Sequence, residues 1–316
     1  SFIKNPIKFF NFFLKMTSLK ADAAICQGAP HYLAAFFIRF FKGKCKRVYF
    51  PYDMISSRLK NPKGTFPNRE IWGEKYSFQN CDAVINKTSE KEFELLPKNF
   101  NIKSKSKLTF PCYTFTDWSV PYKQKKKLSY SDKEIHIVYT GSIIEADFYK
   151  SMTEDFHDIL NQKIHLHIYC VASDINKERI NKITKNNKKL ERYLHIYPYI
   201  SPEKLPKEIS KYDFGLHWTG LTKHSKSQAI KFATGNKIAS YLEAGLPILV
   251  KEENWITVDI IKKHKVGVII KDFNNIKKQI SDANYQKLIK NIEKFRKQYS
   301  IEKNIKKLID FIESLI

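Results

Sequence analysis

What most restricts the fold of this chain is a rhythm: short apolar runs alternate with helix-like segments along most of its length. Continuous apolar runs of strand length, separated by amphipathic stretches, mark parallel strands that are joined by helical crossovers. Strands read at 21–26, 46–52, 82–86 and 107–111, with helices notably at 30–41 and 89–96. The second half is more regular. Its strands read at 135–139, 164–170, 194–199, 214–218, 248–250 and 266–270. Its helices read at 146–160, 174–185, 202–210, 237–244, 255–264 and from 274 onwards, and 282–316 forms two long amphipathic closing helices. Six strands with crossovers make a whole Rossmann-like domain.

Between the halves the stretch 119–132 is polar and without apolar period, and the boundary is placed there, giving domains 1–122 and 123–316. The expected class is therefore α/β with two Rossmann-like domains. The first is short: either earlier strands precede Ser1, which is not an initiator Met, or the domain is reduced.

Composition narrows the partners. Lys and Arg number 56 against 32 Asp and Glu, a net charge of +24. The excess is spread along the chain, and no nucleic-acid-binding motif accompanies it, so a lysine-rich surface plus attraction to anionic membrane ranks above nucleic acid. Five widely spaced cysteines without a C-x-x-C read as reduced thiols of a cytoplasmic protein. No run is long enough to span a membrane, although the Phe/Lys-rich segment 2–16 reads either as an interfacial helix or as one packed on the sheet. The expected location is cytoplasmic, peripheral at the inner face of the plasma membrane. No metal site is expected, because His165 and His167 share a strand face without a nearby carboxylate.

The most informative stretch runs from Tyr212 to Val250. A buried strand ends at His217 and Trp218, a polar loop follows, and a short helix opens at Asn236 and stops at Gly245. In open parallel sheets ligands bind beyond the carboxyl ends of the strands. A helix N-terminus there offers N–H groups and the positive dipole end to a phosphate. Lys237 adds a charge, and Asn236 is placed to cap the helix or to bond a ligand. The alternative reading is an ordinary strand–loop–helix with a solvated lysine.

Asn236-Lys237, Tyr241-Leu242 and Ala244-Gly245-Leu246-Pro247 resemble the donor-site signature of retaining GT-B glycosyltransferases of the family 4-like type. The closest flavour is the bacterial glucosyltransferase branch, some members of which extend glycans on serine-rich adhesins. The resemblance spans roughly 130–300, and 20–115 loosely. It implies donor contacts from Gly141, Ser142, Asn236, Lys237, Ser240 and Glu243. His217 is a separate candidate at the mouth of the donor site and reads equally as a half-buried histidine satisfied by backbone, and Tyr199 reads either as a ring stacked on the nucleobase or as core. It also implies a retaining transfer from a nucleotide sugar, UDP-sugar favoured, without metal or other cofactor.

Two departures stand out. Where many relatives place paired glutamates before Gly-Leu-Pro, this chain has Phe232 and Ser240, and the nearby acid is Glu243 on another helical face. The usual Arg after the first glycine of the second domain is replaced by Ser142, with Lys150 and Lys231 as other sources of charge. On the acceptor side, His31 and Asp53 follow strand ends and are the expected catalytic polar pair. His31 reads equally as a helix-start histidine, and Asp53 as an N-cap. The acceptor class implied is a glycan or lipid-linked glycan of bacterial surface synthesis, such as lipopolysaccharide or capsule. The rival reading is a non-catalytic GT-B-like partner subunit of another transferase.

Overall fold

A computed structural model describes residues 20–58, 67–102, 105–121, 126–143, 152–171, 174–185, 187–218 and 235–316, with isolated positions 11, 15, 18 and 231. Most of the segment 2–16, Lys150 and most of the loop between 219 and 233 lie outside the described residues. Among the described residues no helix is long and apolar enough to cross a membrane.

Among the described residues ten strands form two all-parallel sheets. The first contains β1 (Ala23–Gly28), β2 (Lys46–Pro51), β3 (Ala83–Asn86) and β4 (Ser106–Thr109) in that order. Cys26, Tyr49 and Val84 face α1 (His31–Phe40) and α2 (Asn68–Asn80). The helices meet closely: a Cβ on Gly73 would stand 2.4 Å from the backbone nitrogen of Tyr32.

The second sheet contains β5 (His136–Thr140), β6 (His165–Cys170), β7 (Leu194–Pro198), β8 (Phe214–His217), β9 (Ile248–Lys251) and β10 (Gly267–Ile270). Their order, β10-β9-β8-β5-β6-β7, is that of the dinucleotide-binding fold, and the chain reverses direction across the sheet between β5 and β8. One face buries Ile137, Leu166 and Leu216 under α3 (Met152–Asn161). The other buries Val138, Ile248 and Val250 under α4 (Lys237–Ala244), α5 (Trp255–His264) and α6 (Tyr285–Gln298).

The closing helices part company. While α6 covers the second sheet, α7 (Ile301–Glu313) returns to the first, where Leu308, Phe311 and Ile312 cover Val48, Ala83 and Ile85. The first sheet thus depends on the end of the chain for its second covering layer. Each parallel strand needs cover on both faces, and α1 and α2 supply only one.

Candidate active site

The reversal between β5 and β8 is pinned by Tyr241 of α4. Its hydroxyl donates to the Leu216 carbonyl at 3.0 Å and accepts from the Thr140 amide at 3.2 Å. Its ring lies flat against Gly215, where a Cβ would come within 2.4 Å of ring carbon Cγ. The tyrosine of the helix signature is therefore a strut that fixes α4 over the gap between the two strands. This brings the start of α4 to the carboxyl end of β5.

There Lys237, the first residue of α4, folds over Gly141. A Cβ on Gly141 would meet Lys237 Cε at 3.0 Å, and the glycine has φ +129°, a conformation that L side chains rarely adopt. The ammonium stands 5.0 Å from the centroid of the Tyr139 ring and forms no ion pair with a described carboxylate. Desolvation pulls its pKa down to about 8. A half-buried cation with no ion pair among the described residues, at a sheet's reversal point, is well suited to an incoming anion.

His217 ends β8 beside it. It is buried, its Nδ1 lies 3.1 Å from Thr257 Oγ1, and Nε2 would be 3.2 Å from a Cβ on Gly235. Burial, with the charge of Lys237, lowers its pKa to about 3, so it is a neutral hydrogen-bonding group.

The remaining expected donor residues are placed differently. The Gly141 amide, expected to face a phosphate, donates instead to the Tyr169 carbonyl at 2.8 Å. Ser142 is exposed, and its carbonyl accepts from Tyr139 Oη at 2.9 Å. Asn236 makes no side-chain cap to α4. Its Nδ2 donates to Tyr52 Oη at 2.8 Å and its Oδ1 lies 3.1 Å from Cys112 Sγ, both in the first half of the chain. Ser240 is half-buried one turn further along α4. Tyr199 follows β7, two strands away from β5, and is 62% exposed.

Glu243 does not reach this cluster. It is buried against the connecting segment, where its Oε1 accepts the Phe115 amide at 2.7 Å and its carbonyl accepts Val120 N–H at 2.8 Å. Burial raises its pKa to about 7. Its work is to hold the crossover between the halves.

On the opposite wall, His31 and Asp53 line one cavity of about 360 Å³ with Pro30, Tyr52 and Glu70. His31 Nδ1 is 2.6 Å from Tyr49 Oη, and the His31 amide donates to Glu70 Oε2 at 2.7 Å. Asp53 pairs with Lys87 at 3.1 Å, and the lysine ammonium lies 3.6 Å over the Tyr52 ring. The N-cap reading of Asp53 gives way to Glu74, whose carboxylate takes the amides of Ile55 at 2.6 Å and Ser56 at 2.9 Å. Since Tyr52 lines this cavity and bonds Asn236, the two walls meet at the start of α4.

A second cavity, of about 560 Å³, opens beyond β9 and is lined by Lys231, Glu252, Glu253 and Trp255. Glu253 Oε2 is buried without a hydrogen-bond partner among the described residues, while Oε1 faces Lys251 at 3.6 Å. These carboxylates were not among the expected site residues. The signal is Lys-Glu-Glu directly at the carboxyl end of a buried strand, rather than the positions before Gly-Leu-Pro.

Two Rossmann-like sheets, joined at a cleft with a basic helix start at the reversal point of the second, define a GT-B glycosyltransferase fold. Residues 137–310, more than half of the chain, match the family model described as glucosyltransferase 3-like, C-terminal domain, and the chain belongs to that family. Its fold is similar to that of sucrose-phosphate synthase from Thermosynechococcus elongatus, with a TM-score of 0.71 and 13% identity over 100% of this chain and 79% of that one. It is also similar to S. aureus TarM in complex with fondaparinux, alpha-GlcNAc-glycerol and UDP, with a TM-score of 0.65 and 16% identity over 95% of this chain. The match spans 57% of the TarM chain. HepE from Anabaena in complex with UDP and glucose aligns with a TM-score of 0.66 and 12% identity, over 96% of this chain and 81% of that one. No curated protein matches the sequence.

Proposed function

We propose that this chain transfers a sugar from a nucleoside diphosphate, with UDP-sugar as donor, to a hydroxyl of a bacterial surface glycan or its lipid-linked precursor. The observation that carries the reading is Lys237, desolvated and folded over Gly141 where the second sheet reverses. A pKa lowered by burial to about 8 makes it responsive to a diphosphate, whose charge favours the ammonium form.

As the bond from the anomeric carbon to the diphosphate breaks, charge grows on the leaving oxygen. Lys237 and the positive end of α4 meet that charge in a site shielded by the first domain. The acceptor oxygen forms the new bond on the same face, and its proton passes to the departing diphosphate, so configuration is retained. No metal is required to neutralise the leaving group. His31 and Asp53 orient the acceptor in their cavity, and the carboxylates at Glu252 and Glu253 take the place of the missing glutamate before Gly-Leu-Pro. The division at residue 122 separates the acceptor and donor sides. The net charge of +24 holds the enzyme at the inner face of an anionic membrane.

The test is a thermal-shift panel of UDP, GDP, CMP and ADP with wild type and Lys237→Ala. A shift with UDP that the variant loses is expected, and transfer should survive EDTA. No shift with any nucleotide would instead favour the partner-subunit reading, which Ser240 at the usual glutamate position supports.

A further inference from the structure

At the other end of the second sheet, four histidines stand side by side. His136 opens β5, His165 and His167 lie on one face of β6, and His195 lies on β7. The parallel register sets His136 opposite His165 and His167 opposite His195. The rings stack in pairs: His136 on His165 with centroids 4.5 Å apart and planes 5° from parallel, His167 on His195 at 4.4 Å and 10°. None of these residues belongs to the candidate active site, which lies beyond the opposite ends of the strands.

Each of the two outer imidazoles points Nε2 at a carboxylate from the turn that enters β5. His136 Nε2 is 2.9 Å from Asp132 Oδ2, and His165 Nε2 is 2.5 Å from Glu134 Oε2. The Glu134 amide donates to Asp132 Oδ1 at 2.9 Å, which fixes the turn that presents both acids. The ligand atoms of Asp132, His136 and His165 all lie within 4.8 Å of one another. Two ligands of a tetrahedral zinc ion stand about 3.4 Å apart, so modest side-chain movement closes the set.

We propose that Asp132, Glu134, His136 and His165 form a binding site for a divalent transition-metal ion of the zinc class. The donor set is two imidazole nitrogens and two carboxylates, the chemistry such ions select. The sequence gives no hint of it, because the carboxylates come from the preceding turn and the second histidine from a neighbouring strand.

The inner histidines complete the site. A histidine that binds a metal through Nε2 carries its proton on Nδ1 and needs an acceptor there. His136 Nδ1 lies 2.9 Å from His167 Nε2, and His165 Nδ1 lies 2.9 Å from His195 Nε2. Without metal, the protons sit on the Nε2 atoms of His136 and His165 and point at the carboxylates. With metal, they move to Nδ1 and donate to the inner rings. His167 then carries its own proton on Nδ1, 3.4 Å from Tyr197 Oη, which can accept it. The chain from His136 through His167 to Tyr197 thus shifts its protons by one step and keeps a partner at each nitrogen.

Access is through the acids: the side chains of Asp132 and Glu134 are 41% and 34% exposed, whereas His136 is 4% exposed. A bound ion fastens the turn at 129–134 to the sheet. That turn leads out of the segment joining the two halves, so the site acts on stability and on the junction, not on the transfer chemistry.

The experiment titrates the full chain with Zn(II) alone, followed by thermal shift and calorimetry, and with Co(II), followed by its visible absorption. A raised melting temperature, a tetrahedral Co(II) band, and at least tenfold weaker Zn(II) binding in both Asp132→Asn and His165→Gln are expected. Equal Zn(II) affinity in wild type and both variants, or no Co(II) band, would overturn the proposal. Nucleotide-induced shifts of His165→Gln, run in parallel, show that the variant is folded and keep this result separate from the donor-site reading.

Discussion

Asn236 Nδ2 donates a 2.8 Å hydrogen bond to Tyr52 Oη, joining the residue that opens α4 to the end of β2 in the other half of the chain. Tyr52 also lines the cavity of His31 and Asp53, and Lys237 follows Asn236 directly. One bond thus connects the wall that would hold an acceptor to the helix end that would hold a diphosphate. Tyr52→Phe and Asn236→Ala should each reduce kcat/KM, and the double variant should lose less than the sum. A double-mutant cycle is expected to return a coupling of about 1 kcal/mol. Strict additivity would mean the bond does not link the two functions.

The ammonium of Lys237 has its pKa lowered to about 8 by burial. A dianionic ligand favours the charged form, so nucleotide diphosphate affinity should fall as pH rises through about 8. Lys237→Ala should weaken binding by about 2 kcal/mol, within the range for hydrogen bonds to charged groups, and should flatten that pH dependence. Calorimetry with UDP from pH 7 to pH 9 distinguishes this from a lysine that is merely nearby.

Burial raises Glu243 to about 7, above its ordinary value of 4.5. Between those values the folded state holds more protons than the unfolded state. Its contribution to stability is therefore present at low pH and lost as pH rises towards 7. Glu243→Gln keeps an acceptor for the Phe115 amide and removes the charge. The variant should match wild type near pH 4.5 and exceed it by up to about 3 kcal/mol above pH 7. Denaturant midpoints across that range measure the difference; a variant less stable at every pH would show that the ionised carboxylate is needed.

The ten described strands lie within two residues of where the sequence places them, and those buried on both faces, β3, β5 and β8, write themselves continuously into it. Helix α2 does not. Its buried residues are Gly73, Glu74, Ser77 and Phe78, with no apolar period, and the close approach of Gly73 to α1 replaces side-chain packing. In the candidate site, Lys237 and His217 were legible because a helix start and a strand end have fixed places in a Rossmann sheet. The direction of Glu243 was not, since it depends on a connecting segment more than a hundred residues earlier. The histidine quartet depends on strand register, which pairs residues across three strands.

The dependence of the first sheet on α7 gives a separate test of how the halves are held. Val48, Ala83 and Ile85 form a buried strip on which Leu308, Phe311 and Ile312 lie. Leu308→Asp puts a carboxylate on that strip without a partner, at a cost of about 2–4 kcal/mol. The loss should fall on the first sheet, since α6 and the second core are untouched by the change. Hydrogen exchange is expected to quicken in β1 to β4 while β5 to β10 keep their protection. If both sheets lost protection together, the halves would unfold as one unit, and α7 would be a clasp for the entire chain rather than a cover for its first sheet.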